Sequence, residues 1–436
     1  MKKKLKRKNM ELILVMLIVT VIFSTYQFLL RPILKKSMAT EVIGISITFV
    51  LAASLIITFL LILILSIYII ILKSNNKKNL RMFRCYRKSF TTILLIVLMV
   101  LGIYTYYSQK NTYVKPMCNE YNDIIPTSIS SLEKVELNGN KQWVSYRGKD
   151  KSNPVLLVLS DGPGKSQMSE FNKLLEALQE DFVLVNWDEL GSGKSKKFKD
   201  DYTIENYVSD GVELSRYLCK KFNQDKIYVL GNSFGSTLGI LMLKEAPDLY
   251  ESFIGTSSIV SVKRNEEYRY NKALEIAESI NDEEELRKLK AQGGPPYDKK
   301  MYNKQKVYYD YLKVKELEDN KIQGEGENKR GRILSSEYGL LDKIHVISSQ
   351  KNTYDRIFKS YYDIDLIDTV KDVKVPVYFI QGSRDYLASS ELLNEYFSIL
   401  NAPDKQILWL EKSGSMPWIS ENKEFITNIN KRFLNK

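Results

Sequence analysis

The sequence has very little histidine and cysteine. Its 436 residues include one histidine and three cysteines. Three cysteines cannot build a disulfide framework, and a single histidine without a Cys/His cluster predicts no zinc site. We therefore expect no metal and no cofactor. Cys118 and Cys219 have a spacing that does not establish a disulfide, and two unrelated thiols are the simpler interpretation.

Acidic residues are scarce near the N-terminus. The first 110 residues contain 17 Lys/Arg but only two acids, Glu11 and Glu41. The whole chain has a formal net charge of +12, so the basic excess belongs to this region and the remainder is mildly acidic. This distribution does not indicate a basic groove for nucleic acid, and we expect no nucleic-acid partner.

Three uncharged apolar runs lie among these basic residues, at positions 12–30, 42–72 and 90–107. A helix needs about 20 apolar residues to cross a bilayer, so the sequence predicts three transmembrane helices. Together they form a membrane anchor over residues 1–110. The alternative for the first run is a cleaved signal peptide, but the run lacks a small-residue cleavage site and two further runs follow it.

The distribution of Lys and Arg around these runs predicts the orientation of the chain. Six precede the first run, three lie between the first and second runs, and seven lie in the loop Lys73–Lys88. Cytoplasmic loops carry the excess of Lys and Arg, so the first and last of these clusters are expected in the cytoplasm. The residues after the third run are then extracytoplasmic, in a multi-pass protein of the cell membrane whose partner is the lipid bilayer.

After a polar linker at residues 111–131, short strands alternate with helical patterns. Val135–Leu137 and Gln142–Arg147 flank the hairpin signal Asn-Gly-Asn. Five further strands are predicted at Val155–Leu159, Phe182–Val185, Lys226–Leu230, Val377–Ile380 and Gln406–Leu410. The alternation predicts an α/β fold with a mostly parallel sheet and helices on both faces. Residues 263–363 break it and are expected to form a helical cap, which leaves 132–262 and 364–436 as the core.

The stretch Gly231–Ser236, "GNSFGS", has a strand before it and a helix after it. That context is typical of the G-x-S-x-G nucleophile elbow, in which Ser233 would be the nucleophile. The backbone N–H of Phe234 would then be one donor of an oxyanion hole. An earlier stretch, Trp187–Ser195, imitates a phosphate loop but has Asp188 where that motif needs glycine, which disfavours nucleotide binding.

Together these motifs resemble the α/β-hydrolase superfamily and, more narrowly, the proline iminopeptidase-like branch of serine peptidases. That branch has H-G-G-P-G, D-Q-R-G-S-G, G-x-S-x-G, G-x-x-D and a histidine loop, in this order. The matching stretches are Ser160–Gly164, Asp188–Gly193, Gly231–Gly235, Gly382–Asp385 and Ser413–Pro417. The resemblance implies an α/β-hydrolase core with a helical cap and covers residues 132–436, without the membrane anchor.

The resemblance also implies roles for individual residues. Ser233 would be the nucleophile, Asp385 the triad acid, and Gly162 and Phe234 the oxyanion donors. Acidic residues of the cap bind the α-amino group of the substrate in this family. Glu266 or Glu267 is the candidate for that role here.

The chain departs from the family pattern where the chemistry takes place. The histidine position holds Ser415, and the oxyanion loop begins with Ser160 and Asp161 instead of histidine and glycine. The one histidine, His345, lies in the cap. Losing the triad histidine costs about 10⁶ in turnover, because a neutral serine does not accept the nucleophile's proton.

Three hypotheses follow. The first is a membrane-anchored hydrolase-fold protein with impaired catalysis, which binds a peptide or acyl small molecule as a sensor, scaffold or partner of an unidentified membrane protein. The second is an active serine hydrolase, an aminopeptidase or esterase, in which His345, Lys412 or substrate assistance replaces the missing base. The third is a structural membrane protein whose pocket has collapsed.

Overall fold

The computed structural model describes residues 39–72, 77–195, 202–297, 301–323 and 335–434. The predicted transmembrane helix at 12–30 lies outside the described residues. The described part divides into two compact units. One comprises the described residues up to Lys115 and a short stretch that ends at Leu341, and the other comprises the rest from Pro116 onward.

The first unit contains two long apolar helices, α1 (Ala39–Leu72) and α2 (Lys77–Lys110). The hydroxyl of Tyr104 on α2 donates a hydrogen bond of 3.0 Å to the Gly44 carbonyl of α1. By length and composition, Val42–Ile71 and Arg81–Lys110 are each able to cross a membrane. Their apolar windows are only 11% and 22% buried, whereas the core helix of a soluble protein is mostly buried.

The second unit is built on an eight-stranded sheet in the order β1-β2-β4-β3-β5-β6-β7-β8. Its strands are β1 (Ile129–Leu137), β2 (Asn140–Gly148), β3 (Val155–Leu159), β4 (Val183–Asp188), β5 (Ile227–Asn232), β6 (Tyr250–Thr256), β7 (Val377–Gly382) and β8 (Lys405–Leu410). The pairs β1–β2 and β2–β4 are antiparallel, and all other neighbours are parallel. This is the mostly parallel α/β sheet that the sequence predicts.

Two details differ from the expected strands. β1 begins at Ile129, inside the stretch 111–131 expected to be a linker, because the hairpin register continues until Ile129 pairs with Gly148. β6 was not among the predicted strands. It lies between β5 and β7 and places its carboxyl end, Thr256, in the centre of the sheet.

The helices of this unit follow in chain order. They are α3 (Met168–Leu174), α4 (Ile204–Phe222), α5 (Phe234–Glu245), α6 (Val262–Ser279), α7 (Glu283–Gln292), α8 (Met301–Glu318), α9 (Leu340–Tyr362), α10 (Leu366–Thr369), α11 (Ser390–Ile399), α12 (Pro417–Ser420) and α13 (Asn422–Leu434). The helices α6 to α9 lie between β6 and β7, where the sequence predicts a cap, and the short helix α10 follows them before β7.

Alternation along the strands divides the apolar core into two layers. Successive side chains of a strand point to opposite faces of the sheet. In β3, Leu157 packs with the cluster that contains Leu238 of α5, whereas Leu156 packs with the cluster that contains Phe171 of α3 and Phe425 of α13. Helices therefore cover both faces, and the loops at the carboxyl ends of the parallel strands are left to form a site.

Candidate active site

Ser233 lies in the turn between β5 and α5, with φ 54° and ψ −113°. A serine with positive φ is strained, and such strain is typical of functional turns. The turn requires its flanking glycines. A Cβ on Gly231 would lie 2.4 Å from the Gly235 carbonyl oxygen, and a Cβ on Gly235 would lie 2.4 Å from the Leu159 carbonyl oxygen. The structure thus places Ser233 on a tight strand-to-helix turn, as the G-x-S-x-G pattern predicts.

The loop that contains Gly162 approaches this turn. A Cβ on Gly162 would lie 3.0 Å from the ring of Phe234, the residue after Ser233. Gly162 and Ser233 also line one cavity of about 850 Å³. The structure therefore brings together the two stretches that we predict as sources of the oxyanion donors.

Asp161 places a carboxylate beside Ser233. Lys165 donates a hydrogen bond of 2.8 Å to its Oδ2. Burial alone would raise the pKa of Asp161, but Lys165 and Lys313 hold it below its usual value, and a weaker hydrogen bond from the Ser233 hydroxyl adds to this effect. The neighbour of the nucleophile position is thus an ionised carboxylate.

Asp385 follows β7 and makes four hydrogen bonds within the core. Its Oδ1 accepts from the backbone N–H groups of Leu387 and Ala388, both at 2.8 Å. Its Oδ2 accepts from the Ser257 hydroxyl at 2.7 Å and the Gln381 amide at 2.8 Å. Burial raises the pKa of Asp385. The predicted triad acid is therefore held by two backbone groups and two neutral side chains.

Ser415, at the position of the missing histidine, contacts a cap residue that the sequence did not indicate. Its hydroxyl donates a hydrogen bond of 2.6 Å to Glu316 Oε2, and its backbone N–H lies 3.3 Å from the same oxygen. Glu316 Oε1 accepts a hydrogen bond of 2.7 Å from the Tyr386 N–H. Glu316, near the end of α8, thus links the loop after β8 to the residue after Asp385.

The surroundings of Glu316 favour its neutral form. The residue is 4% exposed. Burial, followed by the negative charge of Asp385, raises the pKa of Glu316 to about 8. Space in the loop is also limited, because a Cβ on Gly414 would lie 3.1 Å from Glu316 Cδ. The Glu316 carboxyl group therefore packs against the loop in which the family pattern has a histidine.

The two other groups considered as bases lie elsewhere. His345 is on α9, and its Nδ1 is 2.8 Å from the Gly193 carbonyl oxygen. Lys412 is exposed, and its backbone N–H donates to Glu421. Within the described residues, the structure does not bring either side chain to Ser233.

Of the two cap acids, Glu266 lines the cavity and Glu267 is not among the lining residues. Glu266 Oε1 accepts hydrogen bonds from Arg269 Nη1 at 2.6 Å and from Gln305 Nε2 at 3.2 Å. Its Oε2 accepts a hydrogen bond of 2.5 Å from the Tyr308 hydroxyl. The negative charge of Glu266 is therefore already compensated by a neighbour on its own helix.

The amino-acid sequence matches known proteins over the same region. The family model of the serine aminopeptidases, S33, matches residues 155–315. A probable aminopeptidase, YbaC, from Bacillus subtilis is 26% identical over 316 residues, which are 70% of this chain and 96% of the relative. A proline iminopeptidase from Heyndrickxia coagulans is 25% identical over 312 residues, 68% of this chain and 96% of the relative.

These matches and the fold support an assignment to the α/β-hydrolase superfamily, in the proline iminopeptidase-like branch. Solved structures share its fold at lower identity. VinJ is 15% identical with a TM-score of 0.50, and the match covers 70% of this chain and 98% of VinJ. A membrane phospholipase A is 16% identical with a TM-score of 0.51, over 80% of this chain and 98% of that structure. These two likenesses support the hydrolase fold.

Proposed function

We propose that this hydrolase-fold protein is anchored in the cell membrane and acts by binding a peptide or acyl small molecule, with its serine-dependent turnover impaired. The observation that carries the proposal is the loop after β8. Ser415 stands where a triad base is expected, and its hydroxyl is bound to Glu316. In the family, histidine takes the proton of the nucleophile and passes it to the leaving group, and a serine hydroxyl does neither near neutral pH.

The carboxylate of Asp161 supports the same proposal. Turnover of an ester or amide places negative charge on an oxygen next to the nucleophile. An ionised carboxylate near Ser233 opposes that charge, even though Lys165 offsets part of it. An oxyanion hole alone retains about 10³–10⁴ of rate enhancement over water, far below the turnover of an enzyme with a complete triad.

The anchoring and orientation are also part of the proposal. The two apolar helices α1 and α2 support membrane association. The excess of basic residues in the loop Lys73–Lys88 supports a cytoplasmic location for that loop and an extracytoplasmic location for the hydrolase-like unit. A cavity of about 850 Å³ is large enough for a small-molecule ligand, so a collapsed pocket is not supported.

A fluorophosphonate probe tests the proposal, because it reacts with serine hydroxyls that are activated as nucleophiles. Full-length protein in lipid nanodiscs, its Ser233→Ala variant and a related active serine hydrolase are treated in parallel. We expect labelling of the active hydrolase and none that depends on Ser233 in this protein. Rapid labelling that Ser233→Ala abolishes would overturn the proposal.

One observation favours a second candidate, an active hydrolase with an unconventional base. A carboxyl group whose pKa is raised to about 8 is a stronger proton acceptor than an ordinary glutamate, and Glu316, which contacts the loop at Ser415, is such a group. Glu316→Gln separates the two candidates. If Glu316 is the base, probe labelling of Ser233 occurs in the wild type and is lost in Glu316→Gln.

A further inference from the structure

One wall of the cavity carries a buried ion pair between two residues of α6. Glu266 and Arg269 line the cavity and are only 3% and 4% exposed. Arg269 Nη1 donates to Glu266, and Arg269 Nε donates a hydrogen bond of 2.6 Å to the Leu387 carbonyl. These bonds fix the plane of the guanidinium group. Burial alone would lower the pKa of Arg269, but Glu266 raises it, so the group stays charged.

The same guanidinium group retains donors that the described residues do not use. Nε and Nη1 make the two hydrogen bonds above, and no hydrogen bond of Nη2 joins it to another described residue. The Tyr309 ring centroid lies 5.5 Å from Arg269 Cζ, so one face of the group is covered by an aromatic ring. The Nη2 edge thus belongs to a buried guanidinium group at the wall of the cavity.

Tyr354 of α9 is a second buried donor at this wall. It also lines the cavity, it is 3% exposed, and its hydroxyl has no hydrogen-bond partner in the described part of the chain. The charges of Glu266 and Arg269 both act on the pKa of this hydroxyl, which places Tyr354 close to the ion pair. Buried polar groups without partners are rare in folded proteins, and each one requires an explanation.

The carboxylate of Glu266 at this wall, in contrast, is already occupied. Glu266 accepts hydrogen bonds from Arg269, Gln305 and Tyr308. An incoming amine would meet a carboxylate whose charge is compensated and a guanidinium cation beside it. A carboxylate would meet the planar Nη2 donors of Arg269, and guanidinium and carboxylate groups match each other in geometry.

Resting on the proposed function, we propose that Arg269 and Tyr354 form a carboxylate-binding subsite, so that the cavity takes small organic acids with an apolar chain rather than free amines. The apolar chain would contact the aliphatic part of the lining, which consists of Ile259, Val262, Val314, Leu317, Val346 and Met416. The subsite lies on the cap side of the cavity that also contains Ser233.

Calorimetry on the full-length protein in nanodiscs tests this subsite with three ligands of one shape: hexanoate, hexanamide and hexylamine. A hydrogen bond to a charged group contributes enough to expect about tenfold tighter binding of hexanoate than of the other two. Binding of hexylamine in preference to hexanoate, equal affinities, or no binding of any of the three would overturn the inference.

Variants test which residues cause the preference. Arg269→Gln combined with Glu266→Gln removes both charges, so no uncompensated charge is left buried, and we expect the preference for hexanoate to disappear. Tyr354→Phe retains the ring and should weaken hexanoate binding severalfold without weakening hexanamide binding. A preference retained in both variants would contradict the assignment.

Arg264→Gln is the matched control, because Arg264 lies on the same helix in an exposed pair with Glu395 and does not line the cavity. It should bind hexanoate like the wild type. Thermal unfolding of each variant shows whether it folds. If the double variant does not fold, Tyr354→Phe decides. If Ser233-dependent probe labelling is found while the preference for hexanoate persists, the proposal of impaired turnover fails and the carboxylate subsite stands.

Discussion

The hydroxyl of Ser415 donates a 2.6 Å hydrogen bond to Oε2 of Glu316, and this contact joins the cap to the loop where the family resemblance places a histidine. The contact ties the loop after β8 to the end of α8. Glu316 accepts from three donors on two core loops, because it also contacts the backbone N–H groups of Ser415 and Tyr386. A buried carboxyl group held in this way should affect stability, pH dependence and any attempt to restore catalysis.

We predict that the protein becomes less stable as the pH rises toward 8. In the folded state the pKa of Glu316 is raised from 4.5 to about 8, so the folded protein retains a proton that the unfolded chain loses. The stabilisation is fully present below pH 4.5 and is lost as the pH rises through about 8. One proton corresponds to a slope of at most about 1.4 kcal/mol per pH unit.

Denaturant unfolding across this pH range measures the slope. In Glu316→Gln the group does not titrate, and the slope should become much smaller. The control is Glu318→Gln, which changes an exposed acid of the same helix and should keep the wild-type slope. A wild-type stability that rises over the same range would contradict the assignment of a neutral Glu316.

We predict that Ser233-dependent hydrolysis requires two changes in the loop after β8: a histidine at position 415 and the removal of the Glu316 side chain. In Ser415→His alone, the imidazole must compete with Glu316 for a loop in which a single Cβ at Gly414 would already lie 3.1 Å from Glu316 Cδ. Ser415→His combined with Glu316→Ala makes room for the ring next to Asp385. A positioned base contributes about 10²–10⁴ in rate.

Hydrolysis of an activated ester measures the effect. The double variant should exceed both single variants by about 100-fold, the lower end of that range. Adding Ser233→Ala should return the rate to background. A double variant with no more activity than Glu316→Ala would mean that the loop after β8 is not the base position of this site.

We predict that removing the Asp161 carboxylate strengthens the binding of an anion at Ser233. Asp161→Gly introduces the residue that the family has at this position and removes a negative charge next to the serine. The binding of butylboronic acid, which forms an anionic tetrahedral adduct with a serine, should tighten about tenfold, since the Asp161 carboxylate repels the anionic adduct and Lys165 offsets only part of this repulsion. Glu251→Gln, which neutralises an exposed acid on β6, should leave the affinity unchanged. Unchanged or weaker binding in Asp161→Gly would show that the Asp161 charge does not act on this position.

We predict that the maleimide reactivity of the cysteines shows which side of the membrane each of them occupies. All three are free thiols and partly exposed. In variants that keep one cysteine each, Cys118 and Cys219 should react with a membrane-impermeant maleimide on intact cells, whereas Cys85 should react only after permeabilisation. The reverse pattern would place the hydrolase-like unit in the cytoplasm.

The sequence predicts the sheet and the nucleophile turn because their signals are local. The turn at Ser233 needs small flanking residues, and glycine at 231 and 235 is visible in the sequence. The strand β6 lacks such a signal, since its run "YESFIGT" has polar residues at its start and end. The pairing of Glu266 with Arg269 has the i, i+3 spacing of helix ion pairs and was accessible to sequence analysis.

The buried position of Glu316 could not be predicted from the sequence. It is separated from Ser415 by 99 residues, and the surrounding sequence "KVKELEDN" has the polarity of an exposed helix end. Only the packing of α8 against the core loops makes it a buried group. The contact between Ser415 and Glu316 is thus a property of the tertiary structure, whereas the serine at position 415 is visible in the sequence.

The most direct test of the account compares the hydrolysis of an activated ester by purified wild-type protein with that by its Ser233→Ala variant. We predict equal, slow rates, since under the proposed function the Ser233 hydroxyl has no efficient proton acceptor. A fast wild-type rate that falls to background in Ser233→Ala would contradict it.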